Sequence, residues 1–300
     1  MNNPKFWRIT GQLIAVFLIA ILFTILLNNL IRNLQQLGIQ FGFDFLQNQA
    51  SFDIGEKVIN YQPTDSYSRA LWVGLINSFR IAITGIILTT IVGILAGIGR
   101  LSDNWLVRNL TLIYVEIFRN TPLLLQLLFW YFAVFLAFPQ RENKISVGGL
   151  IYFSQNGIEI LGLNFSPEFS ALLLGLIFYT GAFIAEIVRG GIQSVSKGQW
   201  EAARSLGLKP GLVMRLVILP QALRVIIPPL TSQYLNLTKN SSLAIAIGYP
   251  DLYFVASTTF NQTGKAVEVM ILLILTYLII SLTISLLMNL FNRTVQLKER

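Results

Sequence analysis

The chain has 300 residues, 54% of them hydrophobic and only 12% charged, with a formal net charge of +8. Soluble domains carry about a quarter charged residues, so this composition excludes an ordinary water-facing globule. Cysteine and histidine are both absent, which removes disulfides, Cys/His metal centres, thiol nucleophiles and His-based triads.

The apolar excess falls in long blocks, and a helix needs about 20 apolar residues to cross the hydrocarbon core of a bilayer. The first block, Gly11 to Leu30, is uncharged and preceded by Lys5 and Arg8. It exceeds a signal-peptide core and no small-residue cleavage site follows, so it predicts an uncleaved spanning helix. Residues 33–70 are mixed and polar, with Phe41, Phe43, Phe45 and Phe52 interleaved. They predict an outer loop whose aromatics sit at headgroup level, or a docking surface for a partner. Four apolar regions follow at about 71–98, 107–138, 168–189 and 266–291. A fifth, about 222–248, is expected to be interrupted at Pro228-Pro229 and at Lys239-Asn240-Ser241-Ser242. The predicted fold is all-α, a polytopic membrane protein of about six spans.

Basic residues support one orientation, because short cytoplasmic loops collect Lys and Arg. On one side lie Lys5, Arg8, Arg100, Arg108, Arg189, Lys197, Arg204, Lys209, Arg215, Arg224, Arg293, Lys298 and Arg300. The other side holds about half as many: Arg32, Lys57, Arg69, Arg141, Lys144 and Lys265. Both termini are therefore expected in the cytoplasm, and the basic excess reads as an orientation signal, not as nucleic-acid binding. Ser166-Pro167-Glu168 predicts a helix start, by an N-cap hydroxyl, a proline at the first helical position and an early acid. Gly190-Gly191 is expected to stop that helix, and Gly93 with Gly97 permits close helix contact inside the second span.

Between the fourth and fifth spans, Ser196 and Gln199 have capping-box spacing. Gly207 suits a left-handed helix end, and Pro210 opens a second short helix expected to end near Pro220. Such a rigid projection could fit a groove on a cytoplasmic partner. Within or near the spans lie Arg80, Glu116, Arg119, Glu186 and Lys239. Each costs about 2.5–3.5 kcal/mol at mid-helix, so each needs a partner or water. Glu116 with Arg119, and Glu186 with Arg189, have the spacing of pairs on one helix face. Lys239 has no acid a turn away, and Asn240 and Ser241 beside it suggest irregular backbone lining a cavity.

Glu201-Ala202-Ala203, three residues, Gly207, nine residues, then Val217-Ile218-Leu219-Pro220 resembles the EAA loop of bacterial ABC import permeases. The family pattern prefers Ile where this chain has Val217. Glu116-Ile-Phe-Arg119-Asn-Thr-Pro122, Glu186-Ile-Val-Arg189-Gly-Gly and Lys239-Asn-Ser-Ser-Leu243 are similar to the polar amino-acid branch. Phe41-Gly-Phe-Asp44 and Phe52-Asp-Ile-Gly55-Glu look like its general L-amino-acid subgroup, including cyanobacterial members.

The resemblance implies a type I importer core over 71–291 with the coupling loop at about 193–220. An extra N-terminal helix (1–32), the loop 33–70 and a cytoplasmic tail (292–300) complete the chain. It implies a non-enzymatic permease in the bacterial inner membrane, with a second permease subunit or a copy of itself, a cytoplasmic ABC ATPase dimer and a periplasmic amino-acid-binding protein. ATP and Mg would sit on the ATPase, since Thr259-Phe-Asn-Gln-Thr-Gly264-Lys265-Ala266 lacks the first glycine and final hydroxyl of a P-loop. ATPase coupling falls to Glu201, Ala202, Ala203, Gly207 and Pro220. Arg80, Glu116, Arg119, Glu186, Lys239, Asn240 and Ser241 are the substrate-pathway candidates. An ion-driven transporter would also use broken helices and midplane charges, and an embedded enzyme would depend on isolated carboxylates such as Glu186.

Overall fold

The computed structural model describes residues 4–36, 38 and 41–295. The chain divides into two compact units, Met1–Phe45 and Leu46–Arg300. In the first, α1 (Pro4–Gln36) is one uninterrupted helix. The most apolar 18-residue window within Trp7–Asn33 has a mean hydropathy of 2.6. The expected tail 292–300 is partly helical, and its residues 296–300, with Lys298 and Arg300, lie outside the described residues.

The second unit is built on α2 (Tyr67–Gly99) and α5 (Pro167–Gln193), which run parallel and share the largest helix interface. Glycines explain their closeness. A Cβ at Gly93 would come within 2.5 Å of Ile184 Cγ2, and one at Gly97 within 2.7 Å of the Ala185 carbonyl. Small residues there let backbones touch, the main source of helix association where lipid is as apolar as Leu. Ser166 caps α5 by accepting from the Phe169 N–H at 3.0 Å, with Pro167 next, as expected. Gly190-Gly191 does not end α5, which continues to Gln193. Gly191 instead admits Ile226 of α8 (Leu219–Asn240), at 2.3 Å from where a Cβ would stand.

The region 107–138 is not one straight span. α3 (Trp105–Asn120) and the segment Leu123–Phe135 meet at a bend of 107°. Thr121 and Pro122 are extended there, because proline disfavours helix in the residue before it. α4 (Leu123–Leu128) runs into a π-helical stretch, Phe129–Phe135. Among the described residues, five helices are long and apolar enough to cross a membrane, or six if the bent pair counts as one span.

The fifth apolar region also differs. α8 passes through Pro228 and Pro229 without breaking. Membrane helices tolerate proline where neighbours re-satisfy the freed carbonyls. The expected change at Lys239–Ser242 does occur: at Ser241 the backbone tightens into a 3₁₀ stretch ending at Ile247. After it come α9 (Leu252–Thr263) and α10 (Ala266–Val295).

At the end of the bundle where α2 and α5 begin, residues 46–66 fold onto α2. Ala50 N–H donates to Asp65 O at 2.8 Å, Tyr61 Oη to Phe52 O at 2.8 Å, and Asn77 Nδ2 to Glu56 O at 2.8 Å. Beside them stands an element the all-α expectation did not contain. It is an antiparallel sheet of β1 (Ile145–Val147), β2 (Ile151–Ser154), β3 (Gly157–Ile160) and β4 (Leu163–Phe165), ordered β1-β2-β3-β4. Its register pairs Ile145 with Phe153, Val147 with Ile151, Ile158 with Phe165 and Ile160 with Leu163. Opposed residues share a face, so one face is wholly apolar and the other carries Tyr152, Ser154, Glu159 and Asn164. Near the sheet's root, Ile158 and Phe165 pack against the bundle core with Phe169 and Tyr249.

Candidate functional site: a projecting elbow and a polar helix face

At the opposite end of the bundle lies α6 (Lys197–Ser205). It closes in a full left-handed cap. Gly207 has φ +72°, its N–H donates to Arg204 O at 2.9 Å, and the Leu208 N–H donates to Ala203 O at 3.3 Å. This pair of bonds is the Schellman arrangement, which satisfies carbonyls the helix leaves open. The expected capping box does not form: the Ser196 side chain makes no cap bond, and only its carbonyl accepts from Gln199.

The second arm also departs from expectation. α7 (Pro210–Val213) does not stop near Pro220 but passes through a π-helical turn, Met214–Ile218, into α8. Pro220 therefore sits in the first turn of a spanning helix. Ala203 is buried against Val213, Ile218 and Ala222, and so pins α6 to that continuous arm. Glu201 and Ala202 are exposed, as is Leu206 at 80%. Lys197, Arg204, Lys209 and Arg215 of the same segment are exposed as well. Apolar contact holds the elbow to α8, and it exposes an acid, a leucine and four basic residues.

The charges in or near the spanning helices separate into four cases. Glu186 and Arg189 pair as their spacing implies, with Arg189 Nε 3.1 Å from both carboxylate oxygens. A third member, Arg100 at the end of α2, donates to Glu186 Oε2 at 2.8 Å. A search within one helix could not find it, because Arg100 is distant in sequence and reaches Glu186 only through the α2–α5 contact. Arg80 is bonded to Glu56 of the loop and lies 4.1 Å from the Phe169 ring centroid. Glu56 also accepts from Ser166, so Arg80 ties the loop to both parallel helices.

Glu116 and Arg119 do not pair. Glu116 accepts from Asn120 Nδ2 at 3.1 Å, whereas Arg119 lies 5.3 Å from the Phe183 ring centroid. Both are exposed; Asn120, one turn beyond Glu116, supplies a closer donor.

Lys239 is exposed near the end of α8, and its ammonium has no bond or ion pair among the described residues. Ser232 and Asn236 are exposed at the preceding turns of the same helix. Residues three and four apart share a helix face, so Ser232, Asn236 and Lys239 form one polar stripe. Asn240 is half-buried beside it. Ser241 is buried and its hydroxyl donates to Thr238 O at 2.8 Å, away from that stripe. Polar residues on a spanning helix face protein or water, not lipid. Among the described residues no cluster of three acids suited to a metal exists.

The chain is similar to a known family, to curated relatives and to solved structures. A family model described as the binding-protein-dependent transport system inner membrane component matches residues 89–297. The general L-amino acid transport system permease protein AapQ of Rhizobium johnstonii is 38% identical, covering 100% of this chain and 95% of the relative. The glutamate/glutamine/aspartate/asparagine transport system permease protein BztB of Rhodobacter capsulatus is 37% identical, covering 99% and 96%. A solved chain from an amino acid ABC transporter with histidines superposes with a TM-score of 0.61 at 30% identity, over 76% of this chain and 95% of its own. The protein therefore belongs to the family of inner-membrane components of binding-protein-dependent transport systems.

Proposed function

We propose that the chain is the permease subunit of an ATP-driven amino-acid importer, with its termini in the cytoplasm. In this reading α6 couples the spans to a separate ABC ATPase dimer that binds ATP and Mg, and a periplasmic binding protein delivers the amino acid. A second permease, or a copy of this chain, completes the pathway. The observation that carries the reading is the join between elbow and pathway. α6 is pinned to α7, and α7 runs without interruption into α8, the helix with the polar stripe. Displacement of the elbow would thus be delivered to Lys239 by one rigid element. Support for amino acids comes from the names of the two relatives and of the solved transporter.

The stripe fits that cargo. A zwitterion presents a carboxylate and an ammonium, and Lys239 with Asn236 and Ser232 offers a cation and neutral hydrogen-bonding groups. Lys239→Met keeps length and deletes the charge. Losing one charged hydrogen bond costs about 1.5–3 kcal/mol, so uptake should fall roughly tenfold or more. Assembly with the ATPase should stay near wild type. Wild-type uptake at equal protein would show that Lys239 only snorkels to the interface.

Orientation has a direct test, because the chain has no native thiol. Gln62 and Ser196 are both exposed. Gln62→Cys should react with an impermeant maleimide in intact spheroplasts, and Ser196→Cys only after the membrane is opened. The reverse pattern would invert the topology.

A further inference from the structure

The sheet 145–165 divides two environments. Its polar face carries the Lys144–Glu159 ion pair at 2.8 Å, with Lys144 also 3.9 Å from the Tyr152 ring centroid. Its apolar face is only partly used by the fold. Ile158 and Phe165 meet the bundle, while Ile145, Val147, Ile160 and Leu163 remain exposed. The two hairpin turns at the far end are joined by Leu161 N–H donating to Leu150 O at 3.0 Å. Both leucines project outward, exposed by 58% at Leu150 and 73% at Leu161. Leu161 also has φ +51°, a conformation that Gly or Asn adopts with less strain.

We infer that this sheet lies on the bilayer surface, with its apolar overhang against the acyl chains of the adjacent leaflet and its polar face toward water. Position supports lipid as the occupant. β4 ends at Phe165, one residue before the N-cap of α5, a spanning helix. The sheet's root is therefore at a membrane boundary, and its tip lies about 10 Å away at roughly 3.3 Å per residue. On the apolar face Phe153 lies 5.6 Å, ring to ring, from Phe138, which ends a segment whose Phe129, Phe132 and Leu136 are uncovered. The edges β1 and β4 carry unpaired backbone groups, which headgroup depth tolerates and the hydrocarbon centre does not. One apolar and one polar face is also the design of helices that lie in the interface. The inference concerns lipid contact alone and does not depend on what is transported.

Nitroxide labels on single cysteines test it, in the assembled transporter reconstituted into phosphatidylethanolamine/phosphatidylglycerol vesicles. Leu161→Cys reports the overhang, Ser146→Cys the polar face, and Ile274→Cys on α10 an exposed position in a span. Correct insertion is certified when the Ile274 label shows high oxygen and low nickel-chelate accessibility. The Leu161 label should then be several-fold less accessible to the chelate than the Ser146 label, and readily relaxed by oxygen. Equal chelate accessibility at both would place the tip in water. An immobile Leu161 label shielded from both relaxants would mean protein covers the face. Either result overturns the proposal.

Discussion

Gly207→Val should leave the protein inserted but abolish coupled transport. At φ +72° the glycine closes α6 and turns the chain into α7. A side chain in the left-handed region costs about 1–2 kcal/mol, and β-branching makes the position a genuine outlier. Nothing lies within 4 Å of where a Cβ at Gly207 would stand, so crowding within the chain adds no penalty. The effect is therefore confined to the turn. Relaxing it opens the Ala203 and Arg204 carbonyl bonds and swings Glu201, Ala202 and Leu206 away from their set position. Uptake and substrate-stimulated ATP hydrolysis should both fall to background while membrane abundance holds. Gly207→Asn should retain measurable transport, because Asn tolerates this conformation. Normal uptake and ATPase copurification by the valine variant would refute the coupling role of the turn.

Glu186→Ala should damage the fold itself. The carboxylate lies between Arg100 and Arg189, and all three side chains are largely removed from solvent. Deleting one member of such a group leaves cations without their counter-charge, a loss of about 3 kcal/mol or more. Arg100 terminates α2 and Glu186 lies on α5, so the damage falls on the largest helix interface. A lower midpoint of thermal unfolding in detergent and reduced membrane abundance are the expected readouts. Restoration by the double variant Glu186→Ala with Arg100→Met would identify the stranded charge as the cause. An unchanged midpoint in the single variant would show that water satisfies the arginines.

Features with a local cause were legible without a structure. The apolar blocks give the spans, Ser166-Pro167 gives the start of α5, Gly93 and Gly97 mark a close contact, and Gly207 gives the left-handed end of α6. Each follows from hydrophobic length or from the conformational limits of one residue. The sheet was legible too, in principle. Residues 145–165 alternate apolar and polar side chains on several strands, with Gly148-Gly149 and Asn156-Gly157 as turn signals. That period of two was overshadowed by the stronger signal of the spans around it.

What failed was inference about partners and continuity. Glycine and proline were read as helix stops at Gly190-Gly191 and Pro228-Pro229. Both sites are helical, because packing or a membrane setting outweighs intrinsic propensity. Glu116 and Arg119 have the spacing of a pair and do not form one, whereas Arg100 and Glu56 proved to be partners of Glu186 and Arg80. By itself the sequence determined that the chain spans a membrane, roughly where it does so, and where one projecting helix turns. Only the tertiary structure decided which charges meet, that the elbow continues into α8, and which helix face remains polar and open. Hydrophobicity and backbone preference belong to single residues and short windows. Charge pairing and helix continuity depend on neighbours that only packing brings together.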